Sequence, residues 1–210
     1  SDASAYGVIK PLATEAVFSS LAQGVGIINY IGHGSSFQLA QEKLLYLNRG
    51  DLDRINTNGK MPLWIVGTCS FGHFDDPNSE SFAEQLIRKQ MDAASSVIST
   101  CRPITVTGNE RYTQDLFENI FTNNEITNLE IGLILQSIKN GSSESEYFHL
   151  FGDPALRLSI PYRSFDTINI DKDTLSTLTI ASVEINQNLI VNNGNGIILL
   201  KDADREVTRT

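Results

Sequence analysis

Pro62-Leu63-Trp64-Ile65-Val66-Gly67-Thr68-Cys69 is the stretch that decides the fold. A short, continuous apolar run closed by a small-residue turn reads as a strand buried on both faces, as parallel strands are. Upstream, Gly26-Ile27-Ile28-Asn29-Tyr30-Ile31 has the same length and β-branched content and runs into Gly32-His33-Gly34-Ser35. In an open parallel sheet, ligands sit beyond the carboxyl ends of the strands. The two runs therefore bring an imidazole, His33, and a thiol, Cys69, to the edge where a cleft belongs. That pair is the minimum equipment of a cysteine nucleophile with its proton-transfer partner.

Working outward, Thr14 to Gln23 reads as a short helix with Gly24 as its stop. Ser36 to Leu47 reads as a mixed loop or short helix, and Asn48 as the cap of a helical turn through Arg54 and Ile55. Ser79 to Met91 reads as a helix, with Phe82, Ala83, Leu86 and Ile87 on one side. Ala93 to Thr100 reads as a third strand ending at Cys101-Arg102-Pro103. Helices are expected over Glu110 to Phe121 and Leu129 to Lys139, then a turn at 148–154 and a last strand from Ala155 to Ile160. Strand and helix thus alternate through residues 1–161, the pattern of an α/β layer fold with a mostly parallel sheet of three or four strands.

After Pro161 the helical signals vanish. Residues 162–210 alternate Thr, Ile, Val and Leu with polar residues, and Asn192-Asn193-Gly194-Asn195-Gly196 spells a hairpin turn. The segment reads as the start of an all-β domain, too short to complete one.

Composition narrows the function classes. A net charge of −9 with scattered Lys and Arg argues against a nucleic-acid or anionic-membrane surface. No run approaches the roughly 18 apolar residues needed to span a bilayer. Residues 1–5 lack the apolar core of a signal peptide, which says nothing about secretion if the chain is an excised piece. The two cysteines, Cys69 and Cys101, do not make a disulfide framework.

Other residues invite a chemical reading and a plain one. His73, Asp75 and Asp76 suit zinc in type, yet lack ligand spacing, so the sequence implies no metal and no cofactor. Asp75-Asp76-Pro77 reads better as a turn before a helix N-terminus, and that helix would set a favourable dipole near Cys69. Cys101 reads as a buried thiol rather than a partner of Cys69. Arg102 reads either as a substrate-binding cation facing the cleft or as a surface charge. Gly152-Asp153-Pro154 reads as an architectural turn, and Arg49-Gly50-Asp51 as a chance adhesion tripeptide at a helix start.

An apolar block followed by His-Gly, here His33-Gly34, and a second followed by Xaa-Cys, here Thr68-Cys69, resembles the caspase/gingipain clan of cysteine peptidases. Tyr30-Ile31-Gly32-His33-Gly34-Ser35, Thr68-Cys69-Ser70-Phe71-Gly72-His73-Phe74-Asp75-Asp76-Pro77 and Leu150-Phe151-Gly152-Asp153-Pro154-Ala155-Leu156-Arg157-Leu158 resemble the gingipain family more narrowly, and within it the PorU branch. The resemblance implies a caspase-like fold followed by an immunoglobulin-like sandwich. It implies Cys69 as nucleophile, His33 as general base and acid, and the N–H groups of Gly34 and Cys69 as the oxyanion hole. It implies a cell-surface enzyme of a Bacteroidetes-type bacterium that removes C-terminal sorting domains from proteins secreted by the type IX system. Its partners would be those secreted substrates and outer-membrane secretion components, with no nucleic acid. His73 stands where the family is expected to carry a basic residue. The subdomain that precedes this piece in the family, and that by the resemblance supplies pockets and a third catalytic partner, is missing from residues 1–210, so the piece is expected to be folded yet inactive alone. Two other readings remain open: a non-catalytic surface scaffold, and a degradative protease with pocket residues around Arg102 to Asn109.

Overall fold

The computed structural model describes residues 2–4, 7–89, 92–121, 130–139, 144–158, 167–171, 182–186, 199–202 and 205–208. The chain divides into two compact units, Ser1–Ile160 and Pro161–Thr210.

The first unit opens with an antiparallel hairpin of β1 (Asp2–Ser4) and β2 (Gly7–Ile9), followed by α1 (Pro11–Gln23). Pro11 at the first helical position explains a start earlier than expected, since its missing N–H has no helical acceptor to lose there. Gly24, at φ 98°, ends the helix and returns its N–H to the carbonyls of Ser20 and Leu21. Then come β3 (Ile27–Ile31), the two-residue strands β4 (Gly34–Ser35), β5 (Gln38–Leu39) and β6 (Leu45–Tyr46), a 3-10 turn, and α2 (Asp51–Arg54). The remainder is β7 (Leu63–Gly67), α3 (Phe82–Arg88), β8 (Ser96–Thr100), α4 (Val106–Phe121), α5 (Ile131–Ile138) and β9 (Phe148–Phe151).

The main sheet has the order β3-β7-β8-β9. β3, β7 and β8 run parallel, and β9 is antiparallel to β8. The sheet is covered on both faces. Phe18 and Leu21 of α1 and Phe82, Ala83 and Leu86 of α3 pack with Trp64, Val66 and Val97. Leu116 and Ile120 of α4 and Ile131, Ile134 and Leu135 of α5 pack with Leu63, Ile65 and Ile98. Alternation along β7 thus sends odd residues to one helical layer and even residues to the other, which is why the strand reads as an unbroken apolar run. Among the described residues no helix is long and apolar enough to cross a membrane.

Four local expectations are corrected. Ser36 to Leu47, expected as a mixed loop or short helix, is mostly turn, and the two-residue strands β5 and β6 within it pair with β4 into a small sheet. Gly50, not Asn48, precedes α2, at φ 80°. Helix α4 begins at Val106 rather than Glu110, because Thr105 Oγ1 accepts the Gly108 N–H at 3.1 Å. The last strand of the unit is Phe148–Phe151, within the segment expected as a turn. Residues 155–158, expected as strand, hold only an isolated bridge from Arg157 to Glu130. The Gly152-Asp153-Pro154 segment does turn the chain, with Asp153 Oδ1 accepting the Ala155 N–H at 2.9 Å. The Asp51 carboxylate is fully buried and takes Arg49 Nε at 2.9 Å and the Tyr46 N–H at 2.8 Å, so it is unavailable to an adhesion receptor.

In the second unit β10 (Thr167–Ile170) pairs antiparallel with β11 (Val183–Asn186), and β12 (Leu199–Asp202) with β13 (Arg205–Thr208). The turn expected at 192–196 lies outside the described residues.

Candidate active site

Register places the two candidate side chains, His33 and Cys69. Ile31 of β3 pairs with Gly67 of β7, the last pair of a parallel ladder. His33 and Cys69 each stand two residues beyond it, at the carboxyl ends of adjacent strands. The ends are tied together, since the Gly32 N–H donates to the Gly67 carbonyl at 3.3 Å. His33 is exposed, and Cys69 is half-buried and free.

Each loop has its own supports. A Cβ on Gly67 would fall 1.8 Å from Asn109 Oδ1, so the residue must be glycine for Asn109 to reach across and donate Nδ2 to the Gly67 carbonyl at 2.5 Å. Ser70, directly after the cysteine, adopts φ 59°, a left-handed conformation that non-glycine residues hold only when their surroundings impose it. Those surroundings are a turn from the His73 N–H to the Ser70 carbonyl at 3.1 Å and a bond from the Gly72 N–H to the Thr100 carbonyl at 2.9 Å. The chain therefore turns sharply at Cys69 instead of continuing the strand.

Gly34 lies against the other loop. A Cβ there would come within 2.6 Å of Thr68 Oγ1 and 2.9 Å of the Gln38 carbonyl oxygen. Glycine lets the His33-Gly34 backbone approach the residue next to the sulfur. The Ala40 N–H donates to the His33 carbonyl at 2.8 Å, which makes Gly34 and Leu39 a non-hydrogen-bonded pair of the β4-β5 ladder. The Gly34 N–H accordingly points away from β5.

Helix α3 joins the two loops. Ser81 caps it and forms a capping box with Glu84. Its first two amides, Phe82 N–H and Ala83 N–H, donate to the Ser36 carbonyl at 2.6 Å and the Phe71 carbonyl at 3.3 Å. The helix starts at Phe82 instead of the expected Ser79, and its first amides are committed to these carbonyls.

Beyond β8, Arg102 grips Asp75 through both terminal nitrogens, with Nη1 at 2.9 Å from Oδ1 and at 2.8 Å from the Cys101 carbonyl. His73 Nε2 lies 3.3 Å from Asp75 Oδ1. The Arg102 hydrogen bond holds the Asp75 carboxyl down at about 2, and Asp75 in turn raises Arg102. A substrate carboxylate reaching for Arg102 meets a guanidinium already paired. Asp76 accepts the Asn78 N–H at 2.9 Å and Ser79 Oγ at 2.6 Å, and the Ser79 bond foremost lowers its carboxyl. Cys101 is buried, and desolvation raises its thiol. Among the described residues no group of three or more His, Cys, Asp or Glu side chains is placed to hold a metal ion.

The sequence reading missed Asn109, Tyr30 and Ser36 as supports of the site. Asn109 acts from 42 residues away along the chain, and no local pattern announces that.

A family model described as peptidase family C25 matches residues 1–159. No curated protein sequence matches at a significant level. Among solved structures, the Arg-specific cysteine proteinase gingipain R (RgpB) aligns with TM-score 0.59 and 17% identity, over 72% of this chain and 37% of that one. The complex of Porphyromonas gingivalis RgpB pro- and mature domains gives 0.58 and 19%, over 72% and 37%. The present chain therefore spans well under half the length of the solved chains it resembles.

Proposed function

The chain belongs to peptidase family C25, and from that premise we propose that it carries the nucleophile and the proton-transfer residue of a cysteine endopeptidase, Cys69 and His33. The observation that supports this most is the register: Ile31 opposite Gly67 sets the imidazole and the thiol at matching heights on adjacent strands.

In the proposed reaction His33 takes the Cys69 proton, and the sulfur attacks a peptide carbonyl lying across the carboxyl edge of the sheet. The carbonyl oxygen gains the displaced electron pair, and the N–H groups of Gly34 and Cys69 bind it. The C–N bond then breaks, His33 returns the proton to the leaving amine, and a thioester remains. Water, or a second amine, attacks the thioester and releases Cys69.

The motif strings around His33 and Cys69 favour the PorU type of this reaction. The substrates are then C-terminal sorting domains of type IX secretion cargo, and the resolving amine is carried by a surface lipopolysaccharide. The enzyme works at the cell surface beside outer-membrane secretion components. Arg102 contributes to substrate binding as part of its pair with Asp75, not as a lone cation.

The test is cleavage of a cargo protein by the complete gene product. Cys69→Ala and His33→Ala each abolish release of the sorting domain if the assignment is right. Retained cleavage in either variant rejects it. Cleavage of unrelated proteins at many sites, with no preference for the sorting-domain junction, favours a degradative protease instead.

A further inference from the structure

The peptide unit between His33 and Gly34 carries two functions at once. Its carbonyl belongs to His33 and its N–H to Gly34, and the bond is trans, as every described peptide bond is. In a planar trans peptide the C=O and N–H point in opposite directions. Whatever holds the carbonyl therefore aims the amide.

Two donors hold it. The Ala40 N–H reaches the His33 oxygen at 2.8 Å, and the Tyr30 hydroxyl reaches the same oxygen at 2.8 Å. Tyr30 sits in β3 opposite Val66, so its ring rises from a fixed register position toward the strand end. Gly32 makes room for the hydroxyl: a Cβ there would lie 2.7 Å from Tyr30 Oη. Burial foremost raises the Tyr30 phenol above its ordinary range, against a lowering backbone hydrogen bond from Ala40 and with a further rise from Glu42, so the hydroxyl keeps its proton and remains a donor at working pH. Lys10 lies 3.5 Å from Glu42 and offsets that charge, and Glu42 also lies in the field of His33.

We propose that Tyr30 is a positioning residue for the oxyanion hole: it clamps the His33-Gly34 peptide plane so that the Gly34 N–H faces the carbonyl oxygen attacked by Cys69. The inference rests on the cysteine-peptidase reading above. Hydrogen bonds to the carbonyl also polarise the amide, which strengthens its N–H as a donor. An amide aimed in advance gives its full stabilisation at the moment charge develops.

The experiment compares two reactions of one sulfur in the complete protein. Alkylation of Cys69 by iodoacetamide generates no oxyanion, whereas peptide hydrolysis does. In Tyr30→Phe, kcat on a cleaved peptide should fall by about tenfold, within the loss expected when an oxyanion-hole donor is weakened. KM and the pH profile of Cys69 alkylation should stay as in the wild type. Gly32→Ala, which pushes the same phenol aside by a different route, should reproduce that split. A parallel fall in alkylation and hydrolysis, or an unchanged kcat in both variants, overturns the proposal. A variant that unfolds shows itself as a loss of far-ultraviolet dichroism, and the other variant then decides. Cleavage that survives in Cys69→Ala would instead overturn the reading of the site itself, and this inference with it.

Discussion

β7 and β3 deliver the two halves of the site, and they are built differently. All five residues of β7 are buried, pressed between α1 and α3 on one face and α4 and α5 on the other. β3 forms an edge of the same sheet, and none of its five residues is fully buried. The thiol thus follows a fully enclosed strand, while the imidazole follows an edge strand. An edge strand must be held by something other than core pressure. Here the Gly32–Gly67 bond, the small sheet β4-β5-β6 and the Tyr30 hydroxyl do so. The comparison teaches that the cysteine side combines a fully packed strand with hydrogen bonds to its loop, whereas the histidine side, on a half-exposed strand, leans more on directed hydrogen bonds.

The sharpest way to break this contrast is to remove equal bulk from both strands. Ile65→Ala in β7 should destabilise by about 4 kcal/mol, and Ile28→Ala in β3 by only about 1–2 kcal/mol, because a half-exposed site leaves less cavity. Urea unfolding of the two variants measures the gap, and equal losses would refute the asymmetry. Next in size, Gly67→Ala drives a methyl into Asn109 and should cost about 2–3 kcal/mol as an overpacking strain. Its hydrolytic activity should fall further than that loss of fold stability explains, since Gly67 is also the joint between the strand ends. Ser81→Ala removes the α3 cap and should cost about 1 kcal/mol. Hydrogen exchange at the Phe82 and Ala83 amides should rise in that variant, because these two donors stitch the histidine and cysteine loops together.

The smallest effect concerns pH. The Arg102 hydrogen bond favours the charged form of Asp75 and holds its carboxyl down at about 2, below its ordinary 3.8. A depressed carboxyl contributes stability that is present above its unfolded value and is lost as pH falls through the folded one. The Arg102–Asp75 pair should thus weaken only between about pH 4 and 2. Carbon NMR of the Asp75 carboxyl should show that low midpoint in the wild type and a return toward 3.8 in Arg102→Ala. Both side chains are substantially exposed, so global stability should change little.

The sequence announced the fold wherever one element's own pattern decides it. The apolar runs at 27–31 and 63–67 and the period of Ile131, Ile134, Leu135 and Ile138 are such patterns. It was silent where a distant partner decides. Two-residue strands such as Gly34–Ser35 have no period, and they exist because the Ala40 N–H and its neighbours find acceptors across a turn. Phe148–Phe151 was hidden because His149 and the following Gly152 look like a turn, and only pairing with β8 makes it a strand. The start of α4 at Val106 was also hidden, because Gly108 in its first turn is accommodated by a distant residue: the Glu144 carboxylate occupies the space its Cβ would need, 1.6 Å from Oε2. At the candidate site, the placement of His33 and Cys69 beyond adjacent strand ends was legible from their position after apolar runs. The commitment of Arg102 to Asp75 was not, since the two lie 27 residues apart.

The account stands on the imidazole at 33 and the sulfur at 69 sharing one reaction space. Dibromoacetone, which alkylates a thiol and then any imidazole within a few bonds, measures this directly by peptide mapping. The protein has three histidines, so the outcome is specific. A Cys69–His33 cross-link is predicted. Cys69 alkylated with His33 untouched, or joined to His73 or His149 instead, would contradict the account.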